Sequence, residues 1–296
     1  MTITTATVPT PPPPTKRRQP SKALKRRVRE AFDGERLQQI CTMNDFSNYA
    51  ERFDLEDSPR DGHKRFFYYQ DNGSDILAIA HLDTVQDDHM CQITDTAAGL
   101  LATSGALDDR LGAYVILELL PKLGIKCDWL LTTDEEIGQS TAECFDTTKN
   151  YNWMFQFDRG GTDVVMYQYE NDDLVEMVNE CGARVGLGIF SDICLLEHLG
   201  CTGFNWGVGY EDYHSERSHA WLDDTFRMVA RFVKFYQENA TLSLPYKYEE
   251  EPDWAAAFVA DAEMLAADCG HSVDVNDPSS YFEVDSMIMC ASCGGV

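Results

Sequence analysis

Five short stretches of this sequence place histidine or acidic side chains just after apolar runs or at the start of a helix. The first is ILAIAHLDTV, which delivers His81 and Asp83 behind a run of apolar residues. The other four, in chain order, are ALDDRLG (106–112), LLTTDEEIG (130–138), MFQFDRGG (154–161) and YHSE (213–216). Together they supply His, Asp, Glu, Asp and His, the set that a site with two divalent cations requires. The sequence therefore predicts a metal-dependent hydrolase.

The carboxylates fill distinct roles in such a site. Two cations about 3.5–4 Å apart need one bridging carboxylate, and another carboxylate must stay free to accept a proton. Asp108 is the candidate bridge, and Asp158 supplies a further carboxylate ligand. Glu135 and Glu136 are adjacent and are expected to point in different directions, so that one can ligate while the other acts as the base.

The two imidazoles come from opposite ends of this region. His81 is the first, and Asp83 can orient its ring by accepting the second N–H. His214 is the second, with His219 as the alternative five residues later. Imidazoles combined with carboxylates suit zinc, and cobalt or manganese are the alternative ions.

The elements that must position these residues alternate between strands and helices. Apolar runs predict strands at 76–80, 127–133 and 152–157, and helical patterns cover 21–54 and 219–240. Strands that are apolar on both faces are typical of a parallel sheet between helical layers. We therefore expect a three-layer α/β/α sandwich with a mostly parallel mixed sheet. Functional groups collect at the carboxyl ends of strands in such sheets, so ligands distant in sequence would meet at one edge.

These motifs resemble those of the dinuclear zinc exopeptidase superfamily, which includes the leucyl-aminopeptidase, tetrahedral aminopeptidase and peptidase T types. The matching motifs are HLD (81–83), ALDDRLG (106–112), DEEIG (134–138), the strand-end Asp158, and SD (191–192) ahead of YHSE (213–216). The resemblance covers roughly residues 70–245. Only 84–107 separates HLD from the Asp108-Asp109 pair, as in the compact leucyl-aminopeptidase type, and 159–213 is too short to hold a lid domain. The resemblance thus implies a zinc-peptidase fold with no lid domain.

Two metal ligand sets follow from the resemblance. It implies that one Zn²⁺ is held by His81, Asp108 and Asp158. It implies that the other is held by Asp108, Glu136 and His214. Two divalent ions are therefore expected, with Co²⁺ or Mn²⁺ as alternatives to zinc.

The resemblance also implies roles around the metals. Glu135 would be the general base, Asp83 would support His81, and the bond between Asp108 and Asp109 would be cis. The implied function is a dizinc-dependent exopeptidase, an aminopeptidase that hydrolyses N-terminal residues of peptides with a metal-bridged water.

Two side chains near the motifs leave alternatives open. Arg159 either pairs with Asp163 or holds a substrate carboxylate through its fork of donors. The second role would favour a metal-dependent carboxypeptidase, a dipeptidase or an N-acyl amino acid deacylase. Asp192 is expected near the pocket, where it would orient a backbone or substrate group. A third alternative is an inactive binding module that retained the fold, although here every ligand position is filled.

Composition limits the partners. The formal net charge is −26, and such a chain repels nucleic acid and anionic membranes, so a peptide or a small amino-acid-derived substrate is expected. No apolar stretch reaches the ~20 residues of a membrane span. The N-terminus lacks an apolar signal core, and most of the ten cysteines lie in apolar runs, which together indicate a cytoplasmic protein. The oligomeric state is left open.

Three segments are expected along the chain. They are a disordered Pro-rich basic arm at 1–20, the metallopeptidase catalytic domain at 21–246 and a C-terminal appendage at 247–296.

The appendage carries a second potential metal site. Cys290 and Cys293 have the C-x-x-C spacing of a zinc half-site, and Cys269 with His271 would complete it. Such a third, structural Zn²⁺ would stabilise a tail too small to fold alone. The alternative is a frayed end with free thiols.

Overall fold

A computed structural model gives the fold of residues 19–55 and 64–247, and of two short strands nearer the C-terminus. The chain divides into two compact units, 1–247 and 248–296. The helices of the first unit are α1 (Lys22–Ala31), α2 (Gly34–Thr42), α3 (Leu107–Tyr114), α4 (Leu120–Lys122), α5 (Asp172–Glu180) and α6 (Leu222–Asn239). Its strands are β1 (Glu51–Asp54), β2 (Phe66–Gln70), β3 (Ile76–His81), β4 (Gln92–Thr96), β5 (Gly99–Thr103), β6 (Asp128–Thr132), β7 (Trp153–Gln156), β8 (Val164–Val165), β9 (Gly203–Trp206), β10 (Tyr210–Glu211) and β11 (His219–Trp221).

A seven-stranded mixed sheet forms the centre of this unit. Its strand order is β1-β2-β6-β3-β7-β9-β8. The four inner strands β6, β3, β7 and β9 run parallel, and the outer pairings are antiparallel. Every residue of β3, β7 and β9 is buried, so both faces of the sheet are covered. The predicted α/β sandwich with a mostly parallel mixed sheet is confirmed.

The two faces are covered by different kinds of helix. On one face, Trp153 and Phe155 of β7 pack their rings against Phe232 and Phe235 of α6. On the other face, the backbone N–H of Ile193 donates to the Gln156 side chain at 3.1 Å. Ile193 belongs to a short 3₁₀ helix (Asp192–Leu195). The pattern of apolar residues in the sequence does not distinguish such a helix from a short α-helix.

The predicted helix over 21–54 is wrong in extent. The Ser21 side chain accepts from Leu24 N and caps α1, and Asp33 accepts from Arg36 N and caps α2. Each capping side chain satisfies a backbone donor that has no partner within its helix, which divides the segment into two helices. The segment after α2 then enters strand β1, whose residues are all exposed.

A second, four-stranded antiparallel sheet has the order β10-β11-β5-β4. It was not predicted, and it takes the first three residues of the predicted helix at 219–240 as strand β11. Strand β5 leads to Asp108, and β10 and β11 flank the loop that carries His214.

The described residues of the second unit form one antiparallel pair, β12 (Tyr281–Val284) with β13 (Met287–Cys290). Cys290 ends β13, whereas Cys269, His271 and Cys293 lie outside the described residues, so the structural zinc stays a prediction. Residues 1–18 of the predicted arm at 1–20 also lie outside them. Within the described chain, no helix is long and apolar enough to cross a membrane.

Candidate metal centre

Three neighbouring parallel strands deliver candidate ligands to one edge of the large sheet. His81 is the last residue of β3, Glu135 and Glu136 follow the end of β6, and Asp158 follows β7. Because β6, β3 and β7 are adjacent and parallel, their carboxyl ends lie side by side. Asp108, at the start of α3, completes the cluster at this edge.

The first group of possible ligands is His81, Asp108 and Asp158. His81 Nε2 lies 3.2 Å from Asp108 Oδ1 and 3.5 Å from Asp158 Oδ1. The His81 ring is buried, and its Nδ1 lies 3.1 Å from the main-chain oxygen of Asp83 and 3.5 Å from the Asp83 carboxylate. Asp83 therefore orients the ring, with its main-chain oxygen closer than the carboxylate that the sequence suggested.

The second group is Asp108, Glu136 and His214. His214 Nε2 lies 3.1 Å from Asp108 Oδ2 and 2.9 Å from Glu136 Oε2. Asp108 thus presents one oxygen to each group, which is the arrangement of a bridging carboxylate. The peptide bond between Asp108 and Asp109 is cis, as the resemblance implied.

The turn that carries the two glutamates is fixed by hydrogen bonds. The backbone N–H groups of Glu135 and Glu136 donate to the Asp83 carboxylate at 3.3 and 3.1 Å. Asp134, just before them, has a φ of 66°, a left-handed conformation that is uncommon outside glycine. Its carboxylate accepts from buried Arg65 Nε at 3.2 Å. Asp83 and Arg65 therefore hold the turn so that the adjacent glutamates diverge.

Negative charge is concentrated at the site. Burial, reinforced by the negative charge of Asp108, raises the pKa of Asp158 to about 6 and that of Glu136 to about 7. Burial, with Asp158 close by, raises the pKa of Glu135 to about 9. Burial also acts on Asp108, but hydrogen bonds to the two imidazoles hold its pKa well below the usual range. A cation would favour the charged form of each carboxyl and offset this repulsion.

The donor set fits two divalent cations. Within each group the ligand atoms lie within 4.8 Å of one another. Glu136 Oε1 is buried without a hydrogen-bond partner among the described residues. An unpartnered carboxylate oxygen is costly to bury, and a bound cation would satisfy it. One imidazole and two carboxylates in each group suit zinc.

Tyr210 is a functional candidate that the sequence analysis missed. Its hydroxyl is buried and lies 2.9 Å from Asp158 Oδ1 and 3.2 Å from Asp108 Oδ1. A phenol has one proton to donate, so it bonds one of these carboxylates at a time. Because the lone tyrosine sits in a two-residue strand, no periodicity or spacing could have indicated it.

We predict that Tyr210→Phe weakens zinc binding to the first group by about 10-fold, because outer-shell hydrogen bonds tune ligand orientation on this scale. Competition titration against a chelator measures the affinity. Tyr213→Phe is the matched control, since Tyr213 is an exposed tyrosine of the same region. Equal affinities for Tyr210→Phe and the unmodified protein would show that the hydroxyl has no such role.

The remaining candidates lie near these groups without joining them. Arg159 forms a two-point ion pair with Asp163, with N···O distances of 2.7 and 3.1 Å. Asp192 is fully buried, and its carboxylate accepts a hydrogen bond from the Thr132 hydroxyl at 2.6 Å. Asp192 therefore stabilises the end of β6. His219 lies on β11 with its Nδ1 2.9 Å from the main-chain oxygen of Arg217, outside both ligand groups.

A cavity of about 690 Å³ opens onto the cluster. Asp108, Glu135, Asp158 and His214 line it, together with Arg159. Asp192 is not among the residues that line it. The volume lies within the ~300–1,000 Å³ range of small-molecule sites.

No protein-family model matches the chain, and no curated protein matches it. Solved structures do. A tripeptidase from Staphylococcus aureus matches with a TM-score of 0.50 at 10% identity, over 73% of this chain and 98% of that one. The aminopeptidase PepT from Bacillus cereus matches with a TM-score of 0.46 at 13% identity, over 72% and 99%. A Zn-dependent exopeptidase from Parabacteroides distasonis matches with a TM-score of 0.44 at 14% identity, over 69% and 87%. The likeness to the tripeptidase confirms the predicted peptidase type of fold.

Proposed function

We propose that this protein is a dizinc-dependent exopeptidase that removes N-terminal residues from peptides. The observation that carries the proposal is the pair of ligand groups that share Asp108, with one oxygen directed to each. One isolated group would suit a single structural cation. Two groups joined by a carboxylate suit the two-metal arrangement of hydrolases.

Zinc bound in the two groups would supply Lewis acidity to the scissile carbonyl and to the attacking water. The chain supplies the proton acceptor. Glu135 lines the cavity, and its Oε2 lies 3.9 Å from His81 Nε2, so it is beside the first group without belonging to it. The positive charge of two cations would favour ionised Glu135, which can accept a proton from water and pass it to the leaving amine.

The cavity walls favour a substrate with a free amino end. Exposed Glu211 and Asp212 line the cavity and suit an ammonium group. Arg159 is the feature that would favour a carboxypeptidase, a dipeptidase or an acyl amino acid deacylase. Its Nε and Nη2 groups, however, both donate to the Asp163 carboxylate. An arginine already paired in this way is a weaker receptor for a substrate carboxylate.

Three matched peptides test the proposal. One has both ends free, one has an acetylated N-terminus and one has an amidated C-terminus. Zinc-reconstituted protein is incubated with each peptide, and the products are identified by mass spectrometry. We expect stepwise loss from the N-terminus that acetylation blocks and amidation does not.

Other product patterns contradict the proposal in recognisable ways. Cleavage blocked by amidation would assign a carboxylate-binding role to Arg159. Absence of cleavage from all three peptides would direct attention to acylated amino acids or to a binding module. The Glu135→Gln protein, purified in parallel, controls for a contaminating peptidase.

A further inference from the structure

Two buried amide side chains contact Asp158, one at its main chain and one at its carboxylate. They belong to Asn205 on β9 and to Gln156, the last residue of β7, and neither is exposed to solvent. The two residues are partners across the parallel pairing of these strands. In the described chain, neither belongs to a ligand group. Because a buried amide is costly unless its N–H and C=O groups are bonded, the partners of these two indicate what they do.

Asn205 fixes the main chain of Asp158. Its Oδ1 accepts from Asp158 N at 3.1 Å, and its Nδ2 donates to Asp158 O at 2.7 Å. The side chain thereby makes the two hydrogen bonds that a neighbouring strand would make, at a point where β7 has already ended. With the main chain held in this way, the side-chain torsions of Asp158 decide where its carboxylate points.

Gln156 holds that carboxylate. Its Nε2 donates to Asp158 Oδ2 at 2.9 Å, and its Oε1 accepts from Ile193 N at 3.1 Å. A backbone N–H can only donate, so Ile193 requires the amide oxygen on its side and leaves the amide NH₂ group facing Asp158. Ser191 Oγ is 3.5 Å from the same carboxylate oxygen, a longer contact than that of Gln156. The fold therefore orients the amide, and the amide orients the carboxylate.

The two oxygens of Asp158 are consequently not equivalent. Oδ1 lies 3.5 Å from His81 Nε2 and accepts from the Tyr210 hydroxyl at 2.9 Å, whereas Oδ2 accepts from Gln156. A carboxylate can bind a cation through one oxygen or through both. Glu136, in the second group, shows the contrast, because its Oε1 is buried without a hydrogen-bond partner among the described residues. An amide thus restrains the carboxylate of the first group and not that of the second.

We propose that Gln156 is a positioning residue that makes Asp158 a one-oxygen ligand in the first group. The inference rests on the two-metal site of the proposed function. Released from the amide, Asp158 would be free to bind the cation through both oxygens and to occupy one more coordination position. A catalytic zinc needs an open position for water or substrate, so the amide preserves a position that the reaction uses.

The visible absorption of bound Co²⁺ tests this role. Spectra are recorded on full-length protein that carries His214→Ala, which removes a ligand of the second group and leaves the first intact. Coordination number determines the geometry of a transition-metal site, and Co²⁺ absorption weakens as that number rises. Gln156→Met replaces the amide by a flexible apolar side chain of similar length. We expect this variant to lose absorbance per bound Co²⁺.

Gln237→Met in the same background is the matched control, because Gln237 is exposed on α6 and lies outside the cavity. It should keep the absorbance of its parent. Equal absorbance per bound ion in Gln156→Met and its parent would overturn the inference. A variant that binds Co²⁺ less tightly, or unfolds at a lower temperature, with unchanged absorbance per bound ion has a purely structural defect, which also overturns it.

Activity gives a second measurement. With His214 intact, we expect zinc-loaded Gln156→Met to lose about 10-fold in kcat with little change in KM, the scale of substitutions next to metal ligands. An unchanged kcat would overturn the inference. Absence of hydrolysis by the unmodified protein would instead contradict the proposed function, and the Co²⁺ spectra, which need no substrate, would still test Gln156.

A variant that does not fold leaves one further test, a crystal structure of the zinc-loaded unmodified protein. Asp158 Oδ1 at about 2.0–2.2 Å from the metal, with Oδ2 bonded to Gln156, supports the inference. Both oxygens at that distance overturn it.

Discussion

Glu135→Gln is expected to lower kcat by about 10³-fold while both ligand groups keep their zinc, because a positioned general base contributes on this scale. The amide keeps the size of the side chain but cannot accept the proton. Glu135 belongs to neither ligand group, so its loss leaves metal binding in place. KM is expected to change little, since the proton transfer belongs to the transition state.

The measurement combines steady-state kinetics with the zinc content of the same sample. Glu170→Gln is the matched control, because Glu170 is exposed and lies outside the cavity. A Glu135→Gln protein that retains full kcat would remove Glu135 from the mechanism. A protein that loses zinc would instead place Glu135 among the ligands.

We expect Asp108→Ala to abolish activity and to empty both metal sites, whereas Asp158→Ala and His214→Ala should each empty one. The reason is geometric: Asp108 contributes an oxygen to each group, and the other two residues serve one group each. Outer-shell substitutions already cost about 10- to 100-fold in metal affinity, so removal of a direct ligand costs more than about 100-fold.

Zinc content after dialysis against buffered free zinc gives the stoichiometry. We expect two ions per chain in the unmodified protein, one in each single-group variant and fewer than one in Asp108→Ala. Asp172→Ala, at an exposed acid at the start of α5, should keep two. Circular dichroism verifies that Asp108→Ala still folds. Two ions retained by folded Asp108→Ala would contradict the shared-ligand geometry.

The convergence of the ligands could be predicted because strands β3, β6 and β7 are strongly apolar. Apolar runs without alternation indicate buried parallel strands, and the carboxyl ends of such strands share one edge. His81, Glu135 and Asp158 each follow or end one of these runs. Their proximity therefore follows from the pattern alone.

The other half of the site could not be derived from periodicity. Asp108 has non-helical backbone angles near the start of α3, and His214 lies in a loop with a φ of 60°. Neither position has a repeating pattern that fixes where its side chain points. Only the resemblance to the zinc exopeptidases connected these two residues with Glu136.

The second sheet was missed because its strands are short and carry little apolar alternation. Strand β4 (QITDT) has only two half-buried residues, and β10 is two residues long. Pairing with distant strands, rather than local preference, holds such segments extended. Tyr210 was missed for the same reason, since it lies on β10.

The sequence left two roles open for Arg159, an ion pair with Asp163 or binding of a substrate carboxylate, and the structure contains the ion pair. A spacing of four residues to Asp163 was compatible with an ion pair, and the two-point pair is present. The sequence could not indicate what the pair packs against, because the loop at 186–190 lies more than twenty residues further along the chain and approaches the pair only in the fold.

Anomalous diffraction at the zinc edge, from crystals grown with zinc, would locate the bound ions. We expect two peaks about 3.5–4 Å apart. One should lie between His81 and Asp158, the other between Glu136 and His214, with Asp108 reaching both. A single peak, or two peaks that do not share Asp108, would contradict the two-metal site on which the proposed peptidase activity rests.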